Sequence, residues 1–366
     1  MSAHVTCTTK NRIGFITLDR PKALNALSLE MIRALATQLR AWERQDDVIA
    51  VVIRASTERA FCAGGDIRFF HQVGTSSPAG GSALLEDFFT EEYALNHLIH
   101  HYPKPYIAFM DGIVMGGGMG VAQGGPQSRL RIVTDKTAMA MPEVHIGLFP
   151  DVGGSYFMSR APGALGAWLG LTGQTIGAAD AIYADMADVA IPSSALPELL
   201  SLLENEVLDS CADVTALVRT YAAPYAESFD PARSMLAAQR KAIDRHFSHP
   251  TVAAIIASLQ ENGGEFAEKS LAALRRGSPL LLCVTLEQLR RGATMTVAEC
   301  LRMERTMVRH SFESTEVLEG IRARVIEKDN APQWSPATLE EVDTAQVEHY
   351  FSPVWPDYAH PLRDLR

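Results

Sequence analysis

The stretch YIAFMDGIVMGGGMGVAQGGPQSRLRIVT, residues 106–134, decides the fold. Tyr106 to Met110 is a short apolar run that suits a buried strand, and Arg131 to Thr134 suits a second one. Between them Gly116-Gly117-Gly118-Met119-Gly120 opens a short helix. This alternation predicts an α/β core. Working upstream, Ile49 to Ile53 reads as another buried strand, and Ser28 caps a helix with Met31, Leu35, Leu39 and Trp42 on one face. Val5 to Thr9 and Ile13 to Leu18 flank Lys10-Asn11-Arg12 and predict a hairpin. Downstream of about Pro192 the strand signals fade. Ser194 to Leu208, Met235 to His246, Leu286 to Arg291 and Val297 to His310 carry helical spacing. The organisation expected is therefore an α/β core over 1–192 and a mainly helical region over 193–366. Gly74 to Gly81 and Pro332 to Ala345 are expected to be mobile. No fixed-period repeat is visible at the level of sequence.

The chain has 366 residues, enough for a large buried core, and 47% are hydrophobic against 21% charged, an ordinary globular mix. The net charge of −10 argues against nucleic acid as a partner, because phosphate binding needs a basic surface. No apolar run approaches a membrane span. The start, Met1-Ser2-Ala3-His4, shows neither a signal peptide nor an Arg-rich transit pattern. Cys7, Cys62, Cys211, Cys283 and Cys300 are few, odd in number and widely spaced, so they read as reduced thiols. Together these features lead to the expectation of a cytoplasmic protein with neither a disulfide framework nor a metal site.

Two glycine-rich loops, at 63–66 and 116–120, each follow an apolar strand and precede a helix. Backbone N–H groups there can point outward and hold an oxyanion, and glycine admits a ligand that a side chain would block. A tight turn is the plainer reading of either loop alone. Neither is a G-x-G-x-x-G fingerprint or a P-loop. The segment Met141 to Gly154 places Glu143 and Asp151 inside an otherwise apolar, Gly/Pro-shaped run. Buried charge is costly without work or a partner, whereas a surface Glu143 and a helix-capping Asp151 would need neither. The residues alone leave both readings open. His97 and His101 lie one helical turn apart but suit a solvated pair better than a metal site. Ser155 is not in a nucleophile elbow, and Cys62 has no evident activating base, so it reads as a packed thiol.

Several stretches resemble the crotonase (enoyl-CoA hydratase/isomerase) superfamily. Asp19 to Leu27 resembles its early signature, and Phe61-Cys62-Ala63-Gly64-Gly65-Asp66-Ile67 and Asp111 to Gly118 resemble its two oxyanion-hole loops. Glu91 to Asn96, Met141-Pro142-Glu143, Ile146 to Gly154 and Ile326 to Trp334 are similar to the 3-hydroxyisobutyryl-CoA hydrolase branch, as is the extra length, whereas Gln123 to Arg129 is longer than in that branch and implies a longer surface loop. The resemblance implies a crotonase-like spiral of ββα repeats, followed by helices that close the site or form the contacts of a homo-oligomer. It implies an acyl-CoA substrate, with coenzyme A as part of that substrate and no further cofactor. By the same resemblance the oxyanion donors are the N–H groups of Gly65 and Gly117. Coenzyme A lies along Lys22, Ala23 and Leu24, and along Ala63, Gly64, Asp66, Ile67 and Gly116. Glu143 is the catalytic carboxylate, Asp151 assists it, and Glu92 meets the acyl group.

The scaffold alone does not fix the reaction. Hydratases of this superfamily use two glutamates, and one of the two positions is Gly120 here, which has no side chain. The retained Glu143 suits thioester cleavage by direct attack or by activating water. With the resemblance to that hydrolase branch, this implies hydrolysis of 3-hydroxyisobutyryl-CoA to 3-hydroxyisobutyrate and CoA, a step of valine breakdown. The alternatives are an enoyl-CoA hydratase or isomerase with an unusual base, or a CoA-binding homologue without catalysis.

Overall fold

The structure is a computed structural model and describes residues 2–77 and 81–366. Met1 and part of the Gly74–Gly81 stretch thus lie outside the described residues. The chain forms two compact units, each assembled from three stretches.

The first unit comprises 1–65, 95–139 and 175–238. Its strands are β1 (Val5–Lys10), β2 (Ile13–Leu18), β3 (Ala50–Ala55), β4 (Ala60–Cys62), β5 (Tyr106–Met110), β6 (Ile113–Met115), β7 (Arg129–Val133), β8 (Ala138–Ala140, whose last residue falls in the second unit) and β9 (Val189–Ala190). Six of them make one sheet in the order β1-β2-β3-β5-β7-β9, and β4-β6-β8 make a second. Only β1 and β2 pair antiparallel in the large sheet, Val5 opposite Leu18; the other pairs are parallel. The hairpin turn carries positive φ at both Asn11 and Arg12, matching the twist of its strands. Parallel strands covered on both faces read as continuous apolar runs, which is why β3 and β5 were legible. Ser28 caps the Leu29–Glu43 helix by accepting from the Met31 N–H, and Met31, Leu35, Leu39 and Trp42 are buried. A Cβ on Gly14 would lie 2.6 Å from the Trp42 ring, so β2 stays bare where the indole lies.

The Gln123–Arg129 stretch differs from the surface loop expected. Gln123 is buried, and its side chain holds the guanidinium of buried Arg131, which pairs with Asp188 at 3.0 Å. Gly125 passes against His100, where a Cβ would meet the carbonyl oxygen at 1.9 Å. Only the tip around Pro126 and Gln127 is exposed. The helix expected over Ser194–Leu208 spans Leu196–Asn205, because Glu206 leaves it with extended backbone.

The second unit comprises 66–94, 140–174 and 239–366 and is mainly helical. The helices Pro279–Gly292 and Val297–Ser311 are its buried centre, flanked by Leu165–Thr172, Gly264–Leu274 and Glu316–Ile321. Gly74, expected in a mobile stretch, instead lies buried in the last turn of the Ile67–Ser76 helix, and a Cβ there would meet Leu318 at 2.6 Å. The Pro332–Ala345 stretch is tied down too. Glu319 accepts from the Gln333 N–H at 2.7 Å and Glu316 from the Ser335 N–H at 2.6 Å. No helix among the described residues is long and apolar enough to cross a membrane.

Candidate active site

In the first unit the two glycine loops lie against each other. Gly64 has φ of +101°, and a Cβ there would stand 3.5 Å from the Gly117 nitrogen. Gly116 also has positive φ, at 48°, and turns β6 into the Gly117–Ala122 helix. Gly117 is the first residue of that helix, where an N–H has no intrahelical acceptor. A Cβ on Gly118 would meet the Cys62 carbonyl oxygen at 2.2 Å, so close packing of the two loops excludes any side chain there. Cys62 is buried, as expected of a packed thiol, and all five cysteines are free.

The early signature supports the first loop. Leu24 and Asn25 both adopt positive φ, and the Ala63 N–H donates to the Leu24 carbonyl at 3.0 Å. Fully buried Asn25 receives the Arg20 N–H at 2.7 Å and donates to the Ala60 carbonyl at 2.9 Å. Its role was missed in the sequence, although an Asn in a tight apolar turn is a recognisable signal. Lys22 is exposed, while Ala23 and Leu24 are half-buried.

The second unit holds a cluster of carboxyl groups. Glu143 is 6% exposed, Asp151 5%, Glu92 2% and Glu304 0%, which overturns the surface reading of Glu143. Nor does Asp151 cap a helix: Gly153 precedes the Gly154–Phe157 helix, and the Asp151 carboxylate accepts from the Tyr93 hydroxyl at 2.7 Å. Glu143 opens a short 3-10 turn, Glu143–Ile146, that ends on Gly147 at φ of 69°. A Cβ on Gly147 would collide with the Glu316 carbonyl at 2.2 Å, so the turn is seated on the Glu316–Ile321 helix. Asp66 and Ile67, expected along coenzyme A, start the Ile67–Ser76 helix, and Asp66 caps it by accepting from the Phe69 N–H at 3.2 Å.

Burial dominates the electrostatics. It pushes the Glu143 carboxyl well above the ordinary range, with the Asp151 charge adding to it. Burial does the same to Glu92, helped by Asp151 and Glu143. Asp151 is raised by burial to about 6, against the pull of the Tyr93 hydroxyl and its own backbone N–H. Near neutrality such a set holds fewer negative charges than carboxyls, which supplies both a base and an acid. One oxygen of Glu92, one of Glu143 and both amide atoms of Asn96 are buried without a hydrogen-bond partner. Buried polar atoms seldom go unpaired, so the Glu92 and Glu143 oxygens in the second unit are available to a substrate.

The loop bearing Asp151 is clamped by two helices far from it along the chain, a contact that periodicity does not reveal. Glu304 accepts from the Gly153 and Ser155 N–H groups at 2.8 and 2.9 Å. Gln288 donates to the Pro150 carbonyl at 2.5 Å and to the Ser155 hydroxyl at 2.8 Å. Glu304 lies on the buried stripe of its helix with Leu301 and Val308, which was the available signal.

Comparison with known proteins agrees with this geometry. An enoyl-CoA hydratase/isomerase family profile matches residues 13–351. The chain belongs to the enoyl-CoA hydratase/isomerase family. It is 39% identical to the mitochondrial 3-hydroxyisobutyryl-CoA hydrolase of Gallus gallus, over 93% of this chain and 86% of the relative. It is 38% identical to that of Homo sapiens over the same shares. Among solved structures, a carnitinyl-CoA dehydratase from Mycobacterium thermoresistibile is 40% identical with a TM-score of 0.88, covering 97% of this chain and 98% of that one. An enoyl-CoA hydratase from Rhodobacter sphaeroides is 38% identical with a TM-score of 0.84, covering 96% and 98%. The crotonase fold with its helical C-terminal region, and an enzyme of this family, are thereby established. The cytoplasmic expectation is overturned, because the hydrolase relatives are mitochondrial. Few, widely spaced cysteines do not choose between one compartment and another.

Proposed function

We propose that this family member hydrolyses an acyl-CoA thioester, with 3-hydroxyisobutyryl-CoA as substrate, releasing 3-hydroxyisobutyrate and free CoA. The observation that carries the reading is the buried pair Glu143 and Asp151, with one Glu143 oxygen unpartnered, combined with a glycine at position 120. Two-base hydration needs a second carboxylate on the acyl chain, and Gly120 provides none. The 38–41% identity to hydrolases named for this substrate supports the same choice.

The Gly65 and Gly117 N–H groups stabilise the thioester oxygen as it gains charge; in other enzymes one such donor is worth about 2.7–4 kcal/mol of barrier. Glu143 acts on the carbonyl carbon as nucleophile or through water, and its raised proton affinity makes it a stronger base near neutral pH. Asp151, fixed by Tyr93, orients Glu143 or the water and helps the CoA thiolate leave. Glu92, with an unpartnered oxygen, meets the 3-hydroxyl. Coenzyme A lies along Lys22 to Leu24 and Ala63 to Ile67.

The names of the solved neighbours favour a second reading, hydration of an enoyl-CoA. A thiol-detecting assay separates the two. Release of CoA from 3-hydroxyisobutyryl-CoA with little hydration of crotonyl-CoA is the expected result. Efficient hydration of crotonyl-CoA with no thiol release overturns the hydrolase reading.

A further inference from the structure

Away from the carboxyl cluster, the second unit brings together His310, Glu313 and His349, with one candidate ligand atom from each within 4.8 Å of the others. His310 is 6% exposed near the end of the Val297–Ser311 helix, Glu313 follows in the next turn, and His349 ends the Thr344–His349 helix. The His310 and His349 rings are 4.3 Å apart between centroids. His97 and His101, the pair visible in the sequence, also lie close, with ring centroids 4.2 Å apart, but join no such group among the described residues.

The decisive feature is the environment of the His310 ring. Its Nε2 lies 3.0 Å from the Ser352 carbonyl oxygen, and its Nδ1 lies 2.9 Å from a Glu313 carboxylate oxygen. Both neighbours only accept. The Ser352 hydroxyl, 3.3 Å from Nε2, donates its one proton to the His349 carbonyl at 2.6 Å. A neutral imidazole has one N–H, so one nitrogen would aim a lone pair at an oxygen lone pair. A cation beside Nδ1 removes the conflict. Nε2–H then donates to a backbone carbonyl, the arrangement that commonly fixes a metal-bound histidine.

We infer that His310 Nδ1, the Glu313 carboxylate and His349 form a site for a zinc-like divalent cation. Imidazole with carboxylate suits such an ion, and three protein ligands leave a fourth position for water. With bonds of about 2.0–2.2 Å, tetrahedral ligand atoms stand roughly 3.3–3.5 Å apart, inside the range observed here. Arg309 lies 3.4 Å from the other Glu313 oxygen, so it takes that oxygen and leaves the first for the ion. A bound ion ties the C-terminal segment to the Val297–Ser311 helix, next to the Arg291–Glu348 pair at 2.6 Å. An imidazolium at His310 is the rival account and predicts no affinity for metal.

The test is calorimetric titration of the full chain, stripped with a chelator, with zinc chloride near pH 7. One saturable equivalent is expected. Glu313→Gln and His349→Ala should each weaken it by at least about tenfold, while His101→Ala leaves it unchanged. Glu313 and His349 are not buried, so both variants keep the fold. Bound zinc should also slow proteolysis after residue 340 in the wild type and not in His349→Ala. Absence of saturable binding overturns the inference, as does binding that survives both substitutions, which would be an adventitious ion only.

Discussion

Glu143 and Asp151 illustrate how a residue's environment sets its chemistry. Both stand in an apolar stretch shaped by Pro142, Gly147, Pro150 and Gly153, so the backbone folds them inward and water is lost from around them. Removing that water raises their proton affinity, and the Asp151 charge raises that of Glu143 further. Glu143 is the member with an unsatisfied oxygen, and so the one free to act on a substrate. Glu143→Ala should therefore cut CoA release by about 10²–10⁴-fold, the usual range for loss of a general base. Binding of the CoA ester should change little, since the glycine loops and Lys22 are untouched. Turnover by thiol detection and binding by calorimetry check the two halves. A variant that keeps more than about a tenth of wild-type turnover excludes Glu143 from the mechanism.

Among the elements, legibility followed distance along the chain. The strands Tyr106–Met110 and Ala50–Ala55 and the helix capped by Ser28 depend on their own residues and neighbours, and the sequence showed them. The glycine loops were legible because strand, glycines and helix are contiguous. The clamp on the Asp151 loop was not, since Glu304 meets Gly153 and Ser155 across about 150 residues of chain. Composition marked Glu304 only as a carboxylate on an apolar stripe, and periodicity does not say which N–H groups it meets. The buried Gln123–Arg131 contact escaped for the same reason, its glycines and polar neighbours reading as surface. The clamp gives a prediction at this scale. Glu304→Ala leaves two buried N–H groups without an acceptor, which costs about 1–3 kcal/mol for each group left unpaired. Asp151 loses its fixed position, so kcat should fall roughly tenfold or more with KM little changed. Chemical denaturation and steady-state kinetics on the same preparation test both effects. Wild-type kcat in a measurably destabilised variant would make Glu304 a support of the fold alone.

At the scale of the whole molecule, two sets of titrating groups pull stability in opposite directions. His145 is held by burial at about 4, so the folded chain resists protonating it, and this contribution is lost as pH falls below the ordinary histidine range. Glu287 and Glu319 are lowered, first by their hydrogen bonds to Arg290 and Arg322, and likewise stabilise at neutral pH and fade in acid. The carboxyl cluster has the opposite sign. Burial raises Asp151 to about 6 and Glu304 to about 8, and raises Glu92 and Glu143 well above the usual range. A raised carboxyl gives its full stabilisation below the unfolded value near 4 and loses it as pH climbs through the folded value. The protein should therefore weaken on the alkaline side, with the net charge of −10 adding self-repulsion. Retaining such a cluster sacrifices stability at the position where chemistry needs it, a common trade-off at active sites. Glu143→Gln isolates the effect, because the amide keeps the shape and cannot ionise. The variant should match wild type near pH 4.5 and unfold at higher temperature by pH 8. The gain should be about 1 °C for each kcal/mol of relief, because an unfolding entropy of about 2.1 cal/mol/K per residue makes the shift small in a chain of 366 residues. Paired thermal unfolding curves across that window check it. A difference that is constant with pH, or negative at pH 8, would show that Glu143 carries no ionisation strain in the folded chain.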